Sequence, residues 1–270
     1  MISIDKKSAA AFLDSIGKSF SFFFFLGKKV NRTKVFILIS FLPVIMAAII
    51  KCIQYFNKNY WLEDLSVFSN IIIFFYLQFL ILILALFFGS SISSEEIEGK
   101  TLTYLTTRPI PKSALILGKY SAYALLIILM VNIGVILSFA VLNIDHLLDF
   151  PRYKILLRDM GVLTLGLICY TSFFAFIGTF LKKSILFGLI FSFGWENIIQ
   201  YFPGSTQRFT IVHYLKSLLP QPVRGRFSFL LFRLEPSSTG TAIMMLLLIT
   251  AVFLGLACLV FSQKEYILED

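Results

Sequence analysis

Residues 91–120 read SISSEEIEGKTLTYLTTRPIPKSALILGKY, and this polar stretch lies between two long apolar runs, residues 67–88 and 121–141. Its charged side chains and its prolines cannot lie in hydrocarbon, where no water satisfies charges and unpaired backbone groups. The stretch is therefore a loop on one face of a membrane. It carries three carboxylates, two prolines and a Gly-Lys pair, which is more local structure than a passive connector needs. We interpret it as a docking surface for a cytosolic partner.

The composition on both sides of this loop is that of a membrane protein. Of the 270 residues, 58% are apolar and only 14% are charged, against about a quarter charged in soluble domains. A helix needs about 20 apolar residues to cross a bilayer core of about 30 Å. Five runs meet or approach this length, and a sixth is interrupted by Glu196 and Asn197; the runs are residues 35–50, 67–88, 121–141, 161–181, 241–261 and, weaker, 185–202. We predict an all-α integral membrane protein with six transmembrane helices.

The distribution of lysine and arginine predicts the orientation. Seven of them lie in residues 1–34, and basic residues favour the cytoplasmic side. We therefore expect a cytosolic N-terminus, a membrane domain over residues 35–261 and a cytosolic tail over residues 262–270. The cytosolic coupling loop then spans residues 91–119, and a long outer loop spans residues 203–238. The net charge of +9 favours anionic lipid headgroups over nucleic acid as a partner, and we expect the protein in the cell's inner (plasma) membrane.

The N-terminal segment has the pattern of an amphipathic helix. Apolar side chains recur every four residues at Phe12, Ile16, Phe20 and Phe24, which places them on one helix face. Basic residues flank this stripe, as in helices that lie in the headgroup layer. We predict an interfacial helix; an ordinary cytosolic tail is the alternative.

Two polar residues inside the apolar runs are candidates for a translocation path. Glu196 lies beside Trp195 near the outer end of the weak run, and a membrane-embedded charge costs about 2.5–3.5 kcal/mol on insertion scales. It could line a path or pair with an arginine of the outer loop; an interfacial glutamate beside an aromatic anchor is the alternative. Asn132 could contact a substrate, but a hydrogen bond to a neighbouring helix is the favoured interpretation.

The cysteine and histidine pattern does not indicate a metal site. Cys52, Cys169 and Cys258 lie in or beside apolar runs without a Cys-x-x-Cys motif, so neither a disulfide framework nor a zinc site is expected. His146 and His213 lie in separate outer segments.

The coupling loop also contains a near match to a phosphate-binding loop. Residues 94–101 fit the pattern G-x-x-x-x-G-K-[ST] except at the first position, where Ser94 stands. Three carboxylates would line the cradle and repel phosphate, so we do not expect this chain to bind ATP itself. Ser93 or Ser94 is instead expected to cap a short helix that ends at Gly99.

The same residues resemble a known family. The order Glu95-Glu96-Ile97-Glu98-Gly99-x-Thr101-Leu102, then Leu105-Thr106-x-x-Pro109, Lys112 and Gly118-Lys119, resembles the first cytoplasmic loop of ABC-2 type transporter permeases. The likeness covers about thirty residues specifically, and six spans behind an amphipathic helix agree with it. Lys100 departs from the pattern, because the family usually keeps this glycine and threonine adjacent.

The resemblance implies a function. The chain would be a membrane-spanning permease subunit, working as a dimer with two separate cytosolic ATP-binding cassette subunits that bind ATP and magnesium. It would itself be no enzyme and would hold no cofactor, and export is favoured over import. The residues implied in coupling to the ATPase are Glu95, Glu96, Glu98, Gly99, Thr101, Arg108, Lys182 and Lys183.

Other classes remain open at this point. A membrane anchor that recruits an ATPase for assembly or signalling would carry the same loop. An ion-coupled carrier would need several intramembrane carboxylates or inverted repeats, whereas Glu196 stands alone in the runs. An intramembrane enzyme would need a catalytic constellation that the runs lack. The substrate has no signature in this sequence.

Overall fold

The computed structural model describes residues 6–56, 64–98, 111–146, 149–181, 183–199, 205–219 and 236–263. The described residues form helices, with no strand among them. The long helices are the N-terminal helix (Lys6–Lys29), span 1 (Asn31–Ser40 and Leu42–Phe56), span 2 (Asp64–Ile71, a π-helical segment Ile72–Leu80, and Ile81–Glu98), span 3 (Lys112–Leu142), span 4 (Phe150–Phe180) and the C-terminal span (Thr239–Gln263).

Shorter pieces complete the described chain. We call the helix Ser184–Ile199 the short helix; its middle, Phe191–Glu196, is π-helical. We call Ile211–Leu218 the outer helix. Single 3-10 turns occupy Ile144–His146 and Ser205–Phe209.

Six of the described helices are long and apolar enough to cross a membrane, which confirms the predicted fold class. Their identity differs from the predicted runs at one place. The N-terminal helix qualifies by length and hydropathy, whereas the weak fifth run forms only the short helix. Its 16 residues extend about 24 Å at 1.5 Å per residue, less than the roughly 30 Å hydrocarbon core.

The N-terminal helix packs lengthwise on span 3. A Cβ added at Gly118 would lie 2.5 Å from the Cβ of Ser19, and one added at Gly27 would lie 2.7 Å from the Cδ1 of Leu126. The contact thus advances along both helices in the same direction. That the N-terminal helix lies in the headgroup layer stays a prediction. The second half of this helix packs along the first turns of span 3.

Span 1 continues in that direction. A Cβ added at Gly134 of span 3 would lie 2.9 Å from the carbonyl oxygen of Ser40, farther along span 3 than the contacts of the N-terminal helix. Only Val30 separates the two helices, which contain 24 residues and 26 residues. In line they extend about 75 Å, more than twice the hydrocarbon thickness. The N-terminal helix is therefore not a separate crossing from span 1.

Spans 2 and 4 form a close helix pair, because glycines bring their backbones together. A Cβ added at Gly178 of span 4 would lie 2.5 Å from the carbonyl oxygen of Ser90, and one added at Gly89 of span 2 would lie 2.9 Å from that of Thr171. Small residues allow this approach in membrane helices, where packing replaces the hydrophobic effect. Span 3 packs on the pair, and Tyr76 of span 2 shares a buried hydrogen bond of 2.9 Å with Ser138.

An ion-pair group holds together the ends of spans 1, 2 and 3 that are predicted to face outward. The Nζ atom of Lys51 lies 3.1 Å from a carboxylate oxygen of Asp64 and 2.9 Å from one of Asp145. Lys51 thus connects the end of span 1 to the beginning of span 2 and to the turn after span 3. This group lies at the end of the bundle opposite Ser91 and Lys119.

The short helix and the outer helix follow one another along span 4. Phe191 of the short helix contacts Phe173 with 4.3 Å between ring centroids, and Glu196 contacts Tyr170, one turn nearer the beginning of span 4. The outer helix continues toward the beginning of span 4, since a Cβ added at Gly166 would lie 3.0 Å from the Cδ1 of Leu215. The two helices together form a broken fifth span, and part of the predicted outer loop, residues 205–218, packs within the bundle.

Candidate functional site

The acidic residues of the predicted coupling loop lie on a direct continuation of span 2. The helix Ile81–Glu98 has no break before Glu98, so Glu95, Glu96 and Glu98 occupy its last turn. The expected short helix capped by Ser93 or Ser94 does not form. Ser93 is fully buried, and the hydroxyl of Ser94 donates to the carbonyl of Ser90, 2.9 Å away, within the same helix.

Several of the predicted coupling residues lie outside what the structure describes. These are Gly99, Thr101 and Arg108 in the loop and Lys182 after span 4, and for Glu95, Glu96 and Glu98 only the backbone is described. Lys183 is exposed in the turn before the short helix. Because Gly178 packs on Ser90, this turn and the acidic end of span 2 lie at the same end of the bundle.

The two predicted ends of the loop are bonded to each other. Lys119, only 2% exposed, donates from Nζ to the carbonyl oxygen of Ser91 at 3.0 Å. The same ammonium lies 5.1 Å from the ring centroid of Phe23 in the N-terminal helix and 5.5 Å from that of Tyr123. Carbonyl oxygen and aromatic faces both favour a positive charge, which offsets part of the cost of burying it.

Arg32, in the first turn of span 1, also contacts Ser91. Its Nη2 donates to the hydroxyl of Ser91 at 3.2 Å, and its guanidinium lies 5.0 Å from the Phe88 ring centroid and 6.0 Å from that of Tyr123. We call these six residues the basic clasp; they are Phe23, Arg32, Phe88, Ser91, Lys119 and Tyr123.

The basic clasp joins four elements at the base of the loop: the N-terminal helix, span 1, span 2 and span 3. In the sequence, Arg32 is only one of the basic residues that indicate membrane orientation, and Lys119 is only part of a Gly-Lys pair at the end of a span. Their convergence on Ser91 depends on how the helices pack. The sequence gives one weak indication of this packing, which is Gly118 next to Lys119. A glycine at this position permits the close approach of Ser19.

Glu196 lies at the break of the fifth span and is 1% exposed. Its carboxylate accepts hydrogen bonds from the Tyr170 hydroxyl at 2.9 Å and from the backbone N–H groups of Ile211 and Val212 at 3.1 Å each. These two donors belong to the first turn of the outer helix, whose N–H groups have no partner within the helix. A carboxylate at that end is also favoured by the helix dipole.

The predicted role of Glu196 in a translocation path stays a prediction. In the structure the carboxylate is a buried anchor that holds the outer helix to the short helix and span 4. The neighbouring Trp195 has the exposure expected of an interfacial aromatic anchor, since 49% of it is exposed. The described cation whose charge acts on Glu196 is Lys216 of the outer helix.

Two π-helical segments meet beside this anchor. Gln78 in the segment of span 2 donates to the side-chain oxygen of Asn197 at 2.9 Å, and the rings of Phe79 and Phe193 lie 6.4 Å apart. Segments of π-helix occur frequently at functional sites, where the backbone departs from regular packing. No residue pattern in the sequence predicts these π-helical segments, because both have the pattern of an ordinary apolar helix.

Asn132 makes the favoured cross-helix contact. Its amide donates to the hydroxyl of Thr164 in span 4 at 3.1 Å, the kind of contact that the packing interpretation predicts. A role in a translocation path stays a prediction for this residue as well.

Metal-ligating side chains do not gather in the described part of the chain. No group of three or more His, Cys, Asp or Glu residues there is placed to hold a metal ion. Cys52 is exposed, Cys169 is buried and Cys258 is half-buried, and none of the three is in a disulfide.

Comparison with known proteins identifies the family. No curated protein matches this sequence. Residues 6–266 match the family described as ABC-2 family transporter protein, and the match includes the N-terminal helix, the spans, the acidic end of span 2 and the broken fifth span. With its membrane-length helices and the loop motif at residues 95–109, the chain belongs to the ABC-2 transporter family, whose members are multi-pass membrane permease components of ABC transporters.

Proposed function

We propose that this chain is the permease subunit of an exporter, with the translocation path formed by a dimer and the ATPase activity in separate cytosolic subunits. The observation that carries the proposal is the unbroken helix Ile81–Glu98. Its acidic last turn is a rigid extension of span 2. A partner that displaces this turn therefore moves span 2, and span 4 with it, because Gly178 and Gly89 hold the pair together.

The position of the carboxylates supports a basic partner surface. The C-terminal end of a helix carries a partial negative charge, so three glutamates in the last turn, Glu95, Glu96 and Glu98, are unfavourable there. A cationic groove on an ATPase subunit would reverse that effect. The acidic residues also make phosphate binding by residues 94–101 unfavourable, so we assign ATP and magnesium to the partner.

The broken fifth span favours transport over a plain membrane anchor. Discontinuous helices and buried carboxylates are features that transporters place along their substrate path. An anchor needs only continuous apolar helices. Glu196 at the break of the short and outer helices is therefore the second support for the permease role.

The test is co-purification of an ATPase with the intact protein in detergent. The variant Glu95→Lys/Glu98→Lys reverses two charges in the acidic turn, and we expect it to lose the ATPase. The matched control, Glu265→Lys/Glu269→Lys, makes the same change in the predicted cytosolic tail and should retain it. Failure of the wild type to bind any ATPase would overturn the proposal.

A second measurement separates an exporter from an anchor. The complex reconstituted in vesicles should hydrolyse ATP faster when a transported compound is present, and a screen of compound classes would identify that compound. An ATPase that binds but hydrolyses at one constant rate, with no compound moved across the vesicle membrane, would favour the anchor.

A further inference from the structure

The structure assigns to Lys119, together with Arg32, a positioning role in transport: the basic clasp carries movement of the coupling loop into the N-terminal helix and span 1. This inference rests on the proposed function. It adds a second route of transmission beside the direct lever of span 2.

The first step is the position of Ser91. It lies in the helix Ile81–Glu98, less than two turns before the acidic end, so it moves with that end. Two cations of other elements donate hydrogen bonds to it: Lys119 to its carbonyl oxygen at 3.0 Å and Arg32 to its hydroxyl oxygen at 3.2 Å. The same hydroxyl donates to the Phe88 carbonyl oxygen at 2.9 Å within the helix.

The second step is that Lys119 is also held by the N-terminal helix. Phe23, 4% exposed, lies under the ammonium at 5.1 Å. The neighbouring Gly118 admits Ser19 so closely that a single added Cβ would clash at 2.5 Å. The N-terminal helix therefore cannot slide independently of the beginning of span 3.

The third step concerns Arg32 and span 1. The guanidinium is held between the Phe88 ring of span 2 and the Tyr123 ring of span 3. Arg32 is in the first turn of span 1, directly after Val30, the residue that separates span 1 from the N-terminal helix. A shift of Ser91 therefore acts on the junction between these two helices.

Charge and geometry explain why these residue types are needed. A buried cation without favourable contacts is costly, so the ammonium and guanidinium follow the carbonyl, hydroxyl and rings that stabilise them when those groups move. Packing of the same shape without charge would allow span 2 to separate from the junction. The basic clasp thus couples the four elements through hydrogen bonds and cation–ring contacts rather than through side-chain volume alone.

The experiment measures movement of the N-terminal helix in the ATPase complex. Spin labels at Leu13 and Leu186, which are 67% and 56% exposed, report the distance between the N-terminal helix and the short helix, after the native cysteines Cys52, Cys169 and Cys258 are replaced by alanine. We expect Mg-ATP with vanadate to change this distance by about 2 Å or more, the size of helix shifts in switching transitions.

Lys119→Met retains length and apolar bulk but removes the charge, and it should abolish the nucleotide-dependent change while the ATPase still co-purifies. Lys119→Arg should restore it, because the charge and donors remain. Phe23→Leu is a second variant in case Lys119→Met does not fold; it keeps the site apolar and should reduce the change by removing the ring face.

The outcomes separate the inference from the function on which it rests. A full distance change in Lys119→Met would overturn the inference, and so would a wild-type complex that binds ATPase but shows no distance change. Absence of any ATPase in the wild-type preparation would overturn the proposed function together with the inference.

Discussion

The ammonium of Lys119 donates a hydrogen bond to the carbonyl oxygen of Ser91 at 3.0 Å, and thereby joins two residues 28 positions apart. The segment between them contains the acidic turn and the motif at residues 95–109 that resembles the family's loop. The loop is therefore closed at its base by its own end residues. A partner that docks on this loop therefore contacts a segment that is anchored to the N-terminal helix and to spans 1, 2 and 3.

Replacing Gly178 by alanine should destabilise the protein. The added Cβ would lie 2.5 Å from the Ser90 carbonyl oxygen, and because that atom is backbone, the helices must separate. Overpacking of this kind costs about 1–3 kcal/mol, which would appear as a lower melting temperature in detergent. Gly161→Ala in the same helix is the control, since nothing lies within 4 Å of a Cβ there. Equal melting temperatures for the two variants would contradict the close packing of spans 2 and 4.

Replacing Glu196 should release the outer helix. Glu196→Ala leaves the N–H groups of Ile211 and Val212 without their acceptor, at a cost of about 1–3 kcal/mol for each buried unpaired group. Glu196→Gln should cost less, because one amide oxygen still accepts. Hydrogen exchange in residues 205–219 should rise in the order wild type, glutamine, alanine. Asp149→Ala, at an exposed carboxylate, should leave that exchange unchanged, and unchanged exchange in Glu196→Ala would refute the anchor role.

The bond between Asn132 and Thr164 should contribute little to stability. A double-mutant cycle with Asn132→Ala and Thr164→Ala isolates the pair, and hydrogen bonds between membrane helices average about 0.6 kcal/mol. We expect a coupling energy of about 1 kcal/mol or less from unfolding in mixed micelles. If Asn132→Ala instead abolished transport while the coupling energy stayed near zero, a direct role in the path would replace the packing role.

Acid should remove one stabilising contribution at the end of the bundle where Lys51 lies. The Lys51 ammonium donates a hydrogen bond to Asp145 and holds the pKa of that carboxyl below its ordinary value of 3.8. A carboxyl with a lowered folded-state pKa stabilises the protein above its unfolded pKa, and this contribution is lost as the pH falls through the folded value. Asp145→Asn should therefore melt below wild type at neutral pH. The difference should shrink as the pH falls below 3.8, and it should vanish once the pH lies below the lowered folded-state pKa. A difference that is independent of pH would exclude the ion pair as its cause.

The exposed Cys52 provides a test of orientation. It follows Lys51 at the end of span 1 opposite the coupling loop, so a cytosolic N-terminus places it outside. A membrane-impermeant maleimide should label it in intact cells, whereas Leu13→Cys in a Cys52→Ser background should react only after permeabilisation. The reverse pattern would show that the N-terminus is outside and that residues 91–119 cannot meet a cytosolic ATPase.

Much of the architecture was predictable because hydrophobic length alone selects helices in a bilayer. Every backbone polar group must be paired within its own helix there, so runs such as residues 121–141 permit few alternatives. The fifth span was less predictable. Its apolar run ends at a polar break, and whether the chain turns back or continues depends on the capping of Ile211 and Val212 by Glu196, a contact across 15 residues.

The coupling loop was predictable in its position and in its family, but not in its local structure. Serines 93 and 94 match a helix-capping pattern, yet the helix continues to Glu98 because Ser93 is buried in the bundle and Ser94 bonds back to Ser90. Packing thus overrode the local capping signal, as tertiary context commonly does.

The sequence by itself determined that this chain is an all-α membrane protein, where its polar loop lies, and to which transporter family it belongs. These properties follow from composition, run length and a contiguous motif, all of which are local. Tertiary structure alone decided the basic clasp around Ser91 and the anchor at Glu196, because each joins residues from several helices. The energy of a buried charge depends on the groups that surround it in space, and Arg32, Lys119 and Glu196 acquire their roles only when the helices pack.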